Sequence, residues 1–187
     1  MYAGHLDLAH PLVWTVDDAL PSDECAAYID RMRRGHAEVA PIVGLTGPEV
    51  DLEVRNNTRV MWDDAEEANR LVERVASAVP HSYQDEALVG GNPRLRLYRY
   101  APGEHHGFHF DTVVELDHSV RSRVTLVFYL NDEFEGGATD FPELSQRIQP
   151  RRGRALLFQH RVLHAALPVV SGEKFVLRTD ILYAPAE

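Results

Sequence analysis

From about Arg94 onward the sequence breaks into short β-branched and aromatic runs: RLRLYRY, GFHFD, SRVTLVFYL, ATDF, RALLFQH, VLHAALPVV and KFVLRTDILY. Gly, Pro, Asn and Asp punctuate them, so this half of the chain has to build a sandwich or barrel of short strands. Helical periodicity occurs only upstream. In PSDECAAYIDRMRR, Cys25, Ile29 and Met32 repeat at helical spacing behind Ser22, a candidate N-cap. After a Gly/Pro-containing stretch, RNNTRVMW reads as a strand. Asp64 and Glu67 then form a capping-box pattern ahead of Ala68, Leu71, Val72, Val75 and Val79, which share one face of a second helix ending near Pro80. The expected fold is mainly β, with N-terminal helices packed on one sheet. One domain over residues 1–187 is expected, with 1–92 as supporting helices and strands and 93–185 as the strand-rich core.

The formal net charge of −10 argues against a chain that wraps nucleic acid, because phosphate binding relies on clustered Lys and Arg. The densest basic cluster, Arg151-Arg152-Gly153-Arg154, reads as a turn into a strand. No apolar run approaches the length of a membrane span. The first residues, MYAGHLDLAHPLVW, lack the basic and apolar regions of a secretory signal, so a cytoplasmic location is expected. Cys25 is the only cysteine. It excludes an internal disulfide and any cysteine-based metal cage, and its place on a helix face reads as core. Oligomeric state leaves no mark in the sequence.

A His-x-Asp pair on a strand projects an imidazole and a carboxylate from the same face, and a distant His completes a facial triad for a non-haem iron. The pair alone is weak: 10 His and 14 Asp in 187 residues give about 0.7 such pairs by chance. Two are present. His5-Leu6-Asp7 sits near the N-terminus with no partner pattern, whereas His109-Phe110-Asp111 opens the strand-rich half behind a Gly-containing loop. His160 and His164 are both candidates for the third ligand.

The order of landmarks from about 93 to 184 resembles the prolyl 4-hydroxylase-like branch of the Fe(II)/2-oxoglutarate oxygenases. LYRYAPG, HFD, TLVFYLND, EGGATDFPE, GRALLFQH and LHAALPVVSGEKFVLRTDILY follow one another as in that family. The resemblance implies a double-stranded β-helix, or jelly roll, and a dioxygenase that uses Fe(II), 2-oxoglutarate and O2 to hydroxylate an unactivated C–H bond. It places the third ligand on His164, which precedes a small-residue stretch and Pro168 and has Lys174 ten residues on. The expected triad is therefore His109, Asp111 and His164. His160 is left to line the pocket or cap a strand.

The resemblance also makes Lys174 the cation for the far carboxylate of 2-oxoglutarate, with Tyr100 and Tyr129 in the cosubstrate pocket. Arg178, four residues on and on the same strand face, is the better bidentate partner on geometry, so the residues leave the anchor open between the two. Thr125 shares a strand face with Tyr129 and is expected to point inward. Arg123 would then lie near the same mouth, as a substrate contact or a solvated rim charge. Arg55, Asn57 and Arg59, alternating along an expected strand, and the Glu104-His105-His106 loop are the substrate-side candidates. Their polarity suits a peptide or a polar small molecule. A prolyl or other residue in a peptide is the leading substrate, with a free amino acid or natural-product intermediate as the alternative. A catalytically silent metal-binding jelly roll is the reading from another class. Retention of Asp111 argues against halogenation, whose enzymes replace the carboxylate in the resembled family.

Overall fold

The computed structural model describes residues 6–44, 46–116 and 119–186. A nine-stranded antiparallel sheet dominates. Its main path runs β1 (Val13–Val16), β14 (Ala155–Gln159), β10 (Arg121–Tyr129), β17 (Lys174–Pro185), β8 (Arg94–Tyr100), β5 (Thr58–Asp63) and β2 (Glu38–Val39). Off this path β7 (Glu86–Gly91) pairs with the far half of β17 and with β6 (Ser82–Tyr83). A four-stranded sheet orders β13 (Gln146–Ile148), β12 (Thr139–Phe141), β15 (His164–Ala166) and β9 (His106–His109). Two-stranded ribbons, β3 (Ile42–Gly44) with β4 (Gly47–Glu49) and β11 (Phe134–Gly136) with β16 (Val169–Gly172), complete the strands.

Period-two alternation divides the large sheet into two different faces. Leu95, Leu97, Val124, Leu126, Phe128, Leu157, Leu177 and Ile181 point one way. They form a buried cluster with Cys25 and Met32 of α1 (Ser22–Arg34) and Ala68, Leu71 and Val72 of α2 (Ala65–Glu73). Tyr98, Tyr100, Tyr129, Leu156, Phe158 and Val176 point the other way, against Phe141 and Val162 beneath the four-stranded sheet. The first face is closed by helices and is almost wholly apolar. The second encloses a cavity with charged walls.

Several local expectations change. Helix α1 begins at Ser22 itself, with Pro21 at the N-cap and no side-chain cap, because Pro presets an extended N-cap backbone here. The Asp64 cap holds: its carboxylate accepts the Glu67 amide at 2.8 Å. The second helix stops at Glu73, and Val75 and Val79 are buried by a 3-10 turn over Ala76–Ala78. Strands before residue 93, β1, β2, β5, β6 and β7, are hydrogen-bonded into the same sheet as the later ones rather than merely supporting it. Cys25 is buried at the helix-sheet contact, its thiol directed at the Leu20 carbonyl. Arg151 and Arg154 are paired with Asp17, and Arg152 with Asp132, so the basic turn is neutralised locally. Among the described residues, no helix is long and apolar enough to cross a membrane.

Candidate metal and cosubstrate site

The two histidines are brought together by the β9–β15 ladder, in which His109 and His164 are direct partners. Their Nδ1–H groups donate to main-chain carbonyls, His109 to Gly107 at 2.8 Å and His164 to Val162 at 3.0 Å. This fixes both rings with Nε2 free, the tautomer a metal ligand needs. Asp111, just past β9, completes the group: Oδ1 lies 3.7 Å from His109 Nε2 and Oδ2 3.8 Å from His164 Nε2. Among the described residues His109, Asp111 and His164 are the only cluster of metal-ligating type, with all ligand atoms within 4.8 Å. Burial holds the His164 pKa down to about 3 against the pull of Asp111, so this ring is neutral and ready to ligate. Phe158 packs on it with ring centroids 4.3 Å apart.

Asp111 is held by its own shell. Arg178 Nη1 donates to Oδ1 at 2.8 Å, and the Thr125 hydroxyl donates to Oδ2 at 2.5 Å. Burial alone would raise the acid, but the Arg178 guanidinium against it holds it well below the usual carboxylate range. Because Thr125 gives its one proton to Asp111, His160 Nδ1 must be the donor in its 2.9 Å bond to Thr125. His160 Nε2 then accepts from Ser122 at 2.7 Å, and Ser122 accepts the Val114 amide. Both His160 nitrogens are thus committed, and it stands behind the site rather than in the triad. His5 lies outside the described residues; Asp7 accepts from the amides of Ala9 and Gln84, away from the triad.

A cavity opens beside the triad, walled by Tyr98, Tyr100, Thr125, Tyr129, Lys174 and Arg178 among others. Lys174 is 2% exposed, and Nζ donates to the Gly137 carbonyl at 2.6 Å. It lies over the Tyr100 and Tyr129 rings at 5.0 and 5.5 Å and has no ion pair among the described residues. Gly137 sits at φ 64°, where a side chain is strained, and an added Cβ would come within 3.1 Å of the lysine stem. The Tyr129 hydroxyl pairs with Thr139 at 2.7 Å. Tyr100, directly opposite Lys174 in the β8–β17 ladder, has its pKa pushed up to about 12 by burial. Arg178 is spoken for: besides Asp111 it contacts Asp180 at 3.1 Å, which also binds Arg96 at 3.2 Å.

The substrate-side candidates separate. Arg55 is 7% exposed and lines the cavity, and its backbone bridges His106. Asn57 is fully buried and accepts from Arg55 Nε at 2.9 Å, so it supports Arg55. Both precede β5; only Arg59 is in the strand, where it pairs with Glu38 and does not line the cavity. Arg123 is also absent from the lining. Its guanidinium grips Glu86 through bonds of 2.6 and 2.7 Å, because β7 lies beside that end of the sheet. His105 bonds to the carbonyl of Glu53 at the rim, while His106 turns inward and stacks on His109 with centroids 3.6 Å apart.

Two imidazole nitrogens and one carboxylate converging from one side, with an open cavity on the other, are the donor set of a non-haem Fe(II) centre. A buried ammonium without an acid, in that same cavity, suits the far carboxylate of 2-oxoglutarate. Comparison with known proteins agrees. The 2OG-Fe(II) oxygenase superfamily matches residues 95–179. Prolyl 4-hydroxylase 1 of Arabidopsis thaliana is 25% identical over 192 residues, covering 88% of this chain and 66% of that one. The chain spans 41% and 66% of the length of two curated relatives it matches. A Pseudomonas putida prolyl-4-hydroxylase superposes with a TM-score of 0.67 at 22% identity, over 96% of this chain and 97% of that one. A Trichoplax adhaerens prolyl hydroxylase, solved with a hypoxia inducible factor peptide fragment, gives 0.70 at 16%, over 97% and 87%. These structural likenesses establish a shared fold. The matched segment holds all three ligands and Lys174, so over these residues the chain is similar to the 2OG-Fe(II) oxygenase superfamily.

Proposed function

We propose that this chain hydroxylates a prolyl residue in a peptide or protein, using Fe(II) at His109, Asp111 and His164 and 2-oxoglutarate anchored by Lys174. The observation that carries the reading is the placement of an acid-free, buried Lys174 in the cavity that opens onto the triad. When bound, iron and 2-oxoglutarate supply the oxidising chemistry: 2-oxoglutarate leaves as succinate and CO2 while one oxygen atom enters a C–H bond. The protein's part is placement. His109 and His164 present Nε2 because main-chain carbonyls hold their other nitrogens. Thr125 and Arg178 orient Asp111, and Lys174 with Tyr100 and Tyr129 closes the far end of the cavity against water.

The prolyl assignment rests on the relatives, which are prolyl hydroxylases by name, and on the rim. Val50, Leu52 and Phe108 are exposed apolar residues at 61%, 57% and 55%. They flank the segments joined by the Gly107 amide and the Val54 carbonyl at 2.8 Å, so an extended peptide would find apolar contact beside the mouth. The test is anaerobic addition of Fe(II) and 2-oxoglutarate to the purified protein, followed by oxygen and proline-containing peptides. A weak visible absorption band, then succinate and a one-oxygen mass gain on the peptide, are expected. His109→Ala should abolish succinate release. No band in the native protein, or continued turnover in the variant, would refute the site.

A further inference from the structure

Arg55 is the second buried cation of the cavity that lacks an acid. Its side chain meets only neutral groups: Asn57 Oδ1 at 2.9 Å, the Pro41 carbonyl at 3.3 Å and the face of Tyr98 at 4.8 Å. No carboxylate lies within ion-pair distance among the described residues. In a chain of net charge −10 acids are plentiful. Arg96, Arg123 and Arg178, all less buried than Arg55, each face one at 3.2, 2.6 and 2.8 Å. A guanidinium kept out of water without a counter-ion is costly, so its anion is expected to arrive with a ligand.

The cosubstrate does not account for it. 2-Oxoglutarate brings two carboxylates: on the reading above one would go to the metal and the other to Lys174, which leaves none for Arg55 although both cations line the cavity. Arg55 instead belongs to the rim. Its backbone bridges His106, the neighbouring Asn56 amide donates to the His105 carbonyl, and Phe108 stands exposed two residues past His106. The Asn57 carboxamide and the Tyr98 ring fix the plane of the guanidinium, which leaves a fork suited to a carboxylate.

We propose that Arg55 is an anion subsite for the substrate, so that the prolyl peptide carries a carboxylate beside its target residue. This rests on the prolyl reading above and narrows it. The carboxylate comes from an acidic neighbouring side chain or from the peptide's own C-terminus, and Arg55 reads either by the same pair of hydrogen bonds.

The test uses the full chain with Fe(II) and 2-oxoglutarate and four short proline peptides. One pair has Asp or Asn next to proline; the other ends directly after proline as free acid or as amide. Affinity is measured anaerobically by calorimetry and turnover by one-oxygen mass gain. At least one acid should bind about tenfold or more tightly than its uncharged isostere, as expected for a charge-assisted pair. In Arg55→Gln that advantage should collapse, with 2-oxoglutarate affinity retained; Arg55→Lys should keep a reduced preference, which separates charge from folding. Equal binding of acid and isostere, a preference that survives Arg55→Gln, or a variant that loses 2-oxoglutarate instead would each overturn the subsite. Outcomes also separate the two readings. Oxygen insertion without acid preference leaves the prolyl reading and removes the subsite. An Arg55-dependent preference without oxygen insertion does the reverse.

Discussion

Lys174 and Arg178 stand four residues apart on the same face of β17, both against the cavity, yet they are built into opposite surroundings. Arg178 touches Asp111 and Asp180 at 2.8 and 3.1 Å. Lys174 has a single carbonyl, that of Gly137, and two aromatic faces. Burial lowers both cations. For Arg178 the two acids overcome it and raise the group, whereas for Lys174 nothing opposes it and the pKa falls to about 7. One end of the cavity is thus electrostatically complete before any ligand enters, and the other is complete only with one. The cation paired with acids is framework for the metal ligand, and the one that meets none is a binding group.

The largest expected effect separates these roles by stability. Arg178→Ala takes from buried Asp111 its guanidinium and leaves Asp180 to Arg96, and breaking a buried pair in this way costs about 3–5 kcal/mol. Urea unfolding of the metal-free protein should show the loss. A variant of native stability that binds 2-oxoglutarate poorly would exchange the roles of the two residues. Lys174→Met is expected to act the other way. Stability of the ligand-free protein should hold or rise, since a desolvated ammonium is removed. Its 2-oxoglutarate affinity should fall roughly ten- to a hundredfold, the worth of a hydrogen bond to a charged partner. Anaerobic titration of the Fe(II)-loaded protein measures it.

This contrast was only half legible in the sequence. Strand parity placed Lys174 and Arg178 on one face and brought Thr125 and Tyr129 inward, because period two survives in any regular strand. What each cation meets is a matter of long-range packing. The Asp180 alternation in LRTD was the one available sign that Arg178 has an acid beside it. Arg123 pairs with Glu86 instead of facing the cavity, because the strand formed by EALVGG lies beside it. The β6–β7 hairpin turns at Gln84 with φ 52° and carries no Gly or Asn to announce it. Without β7 there is no Glu86 to claim Arg123. His106 was legible only as a loop residue. Three positions from His109, it falls off strand parity, and the register shift between His164 and Ala166 is what turns both rings to one side. The metal triad was the easy part, since the resemblance carried a ligand spacing that composition alone could not.

The smallest effect probes the Lys174 end directly. In the ligand-free protein the Lys174 pKa lies at about 7, against an ordinary 10.5. Between those values the unfolded chain binds more protons than the folded one, so this group makes stability rise with pH across that window. 2-Oxoglutarate needs the ammonium. Its affinity should therefore weaken as pH climbs above about 7, approaching tenfold per unit, and binding there should take up close to one proton. Calorimetry in buffers of different ionisation enthalpy reads that proton. An arginine anchor gives no such signature, because its guanidinium stays charged throughout. A flat affinity between about pH 7 and 9, with no proton uptake, would move the far carboxylate from Lys174 to an arginine and erase the distinction between the two ends of the cavity.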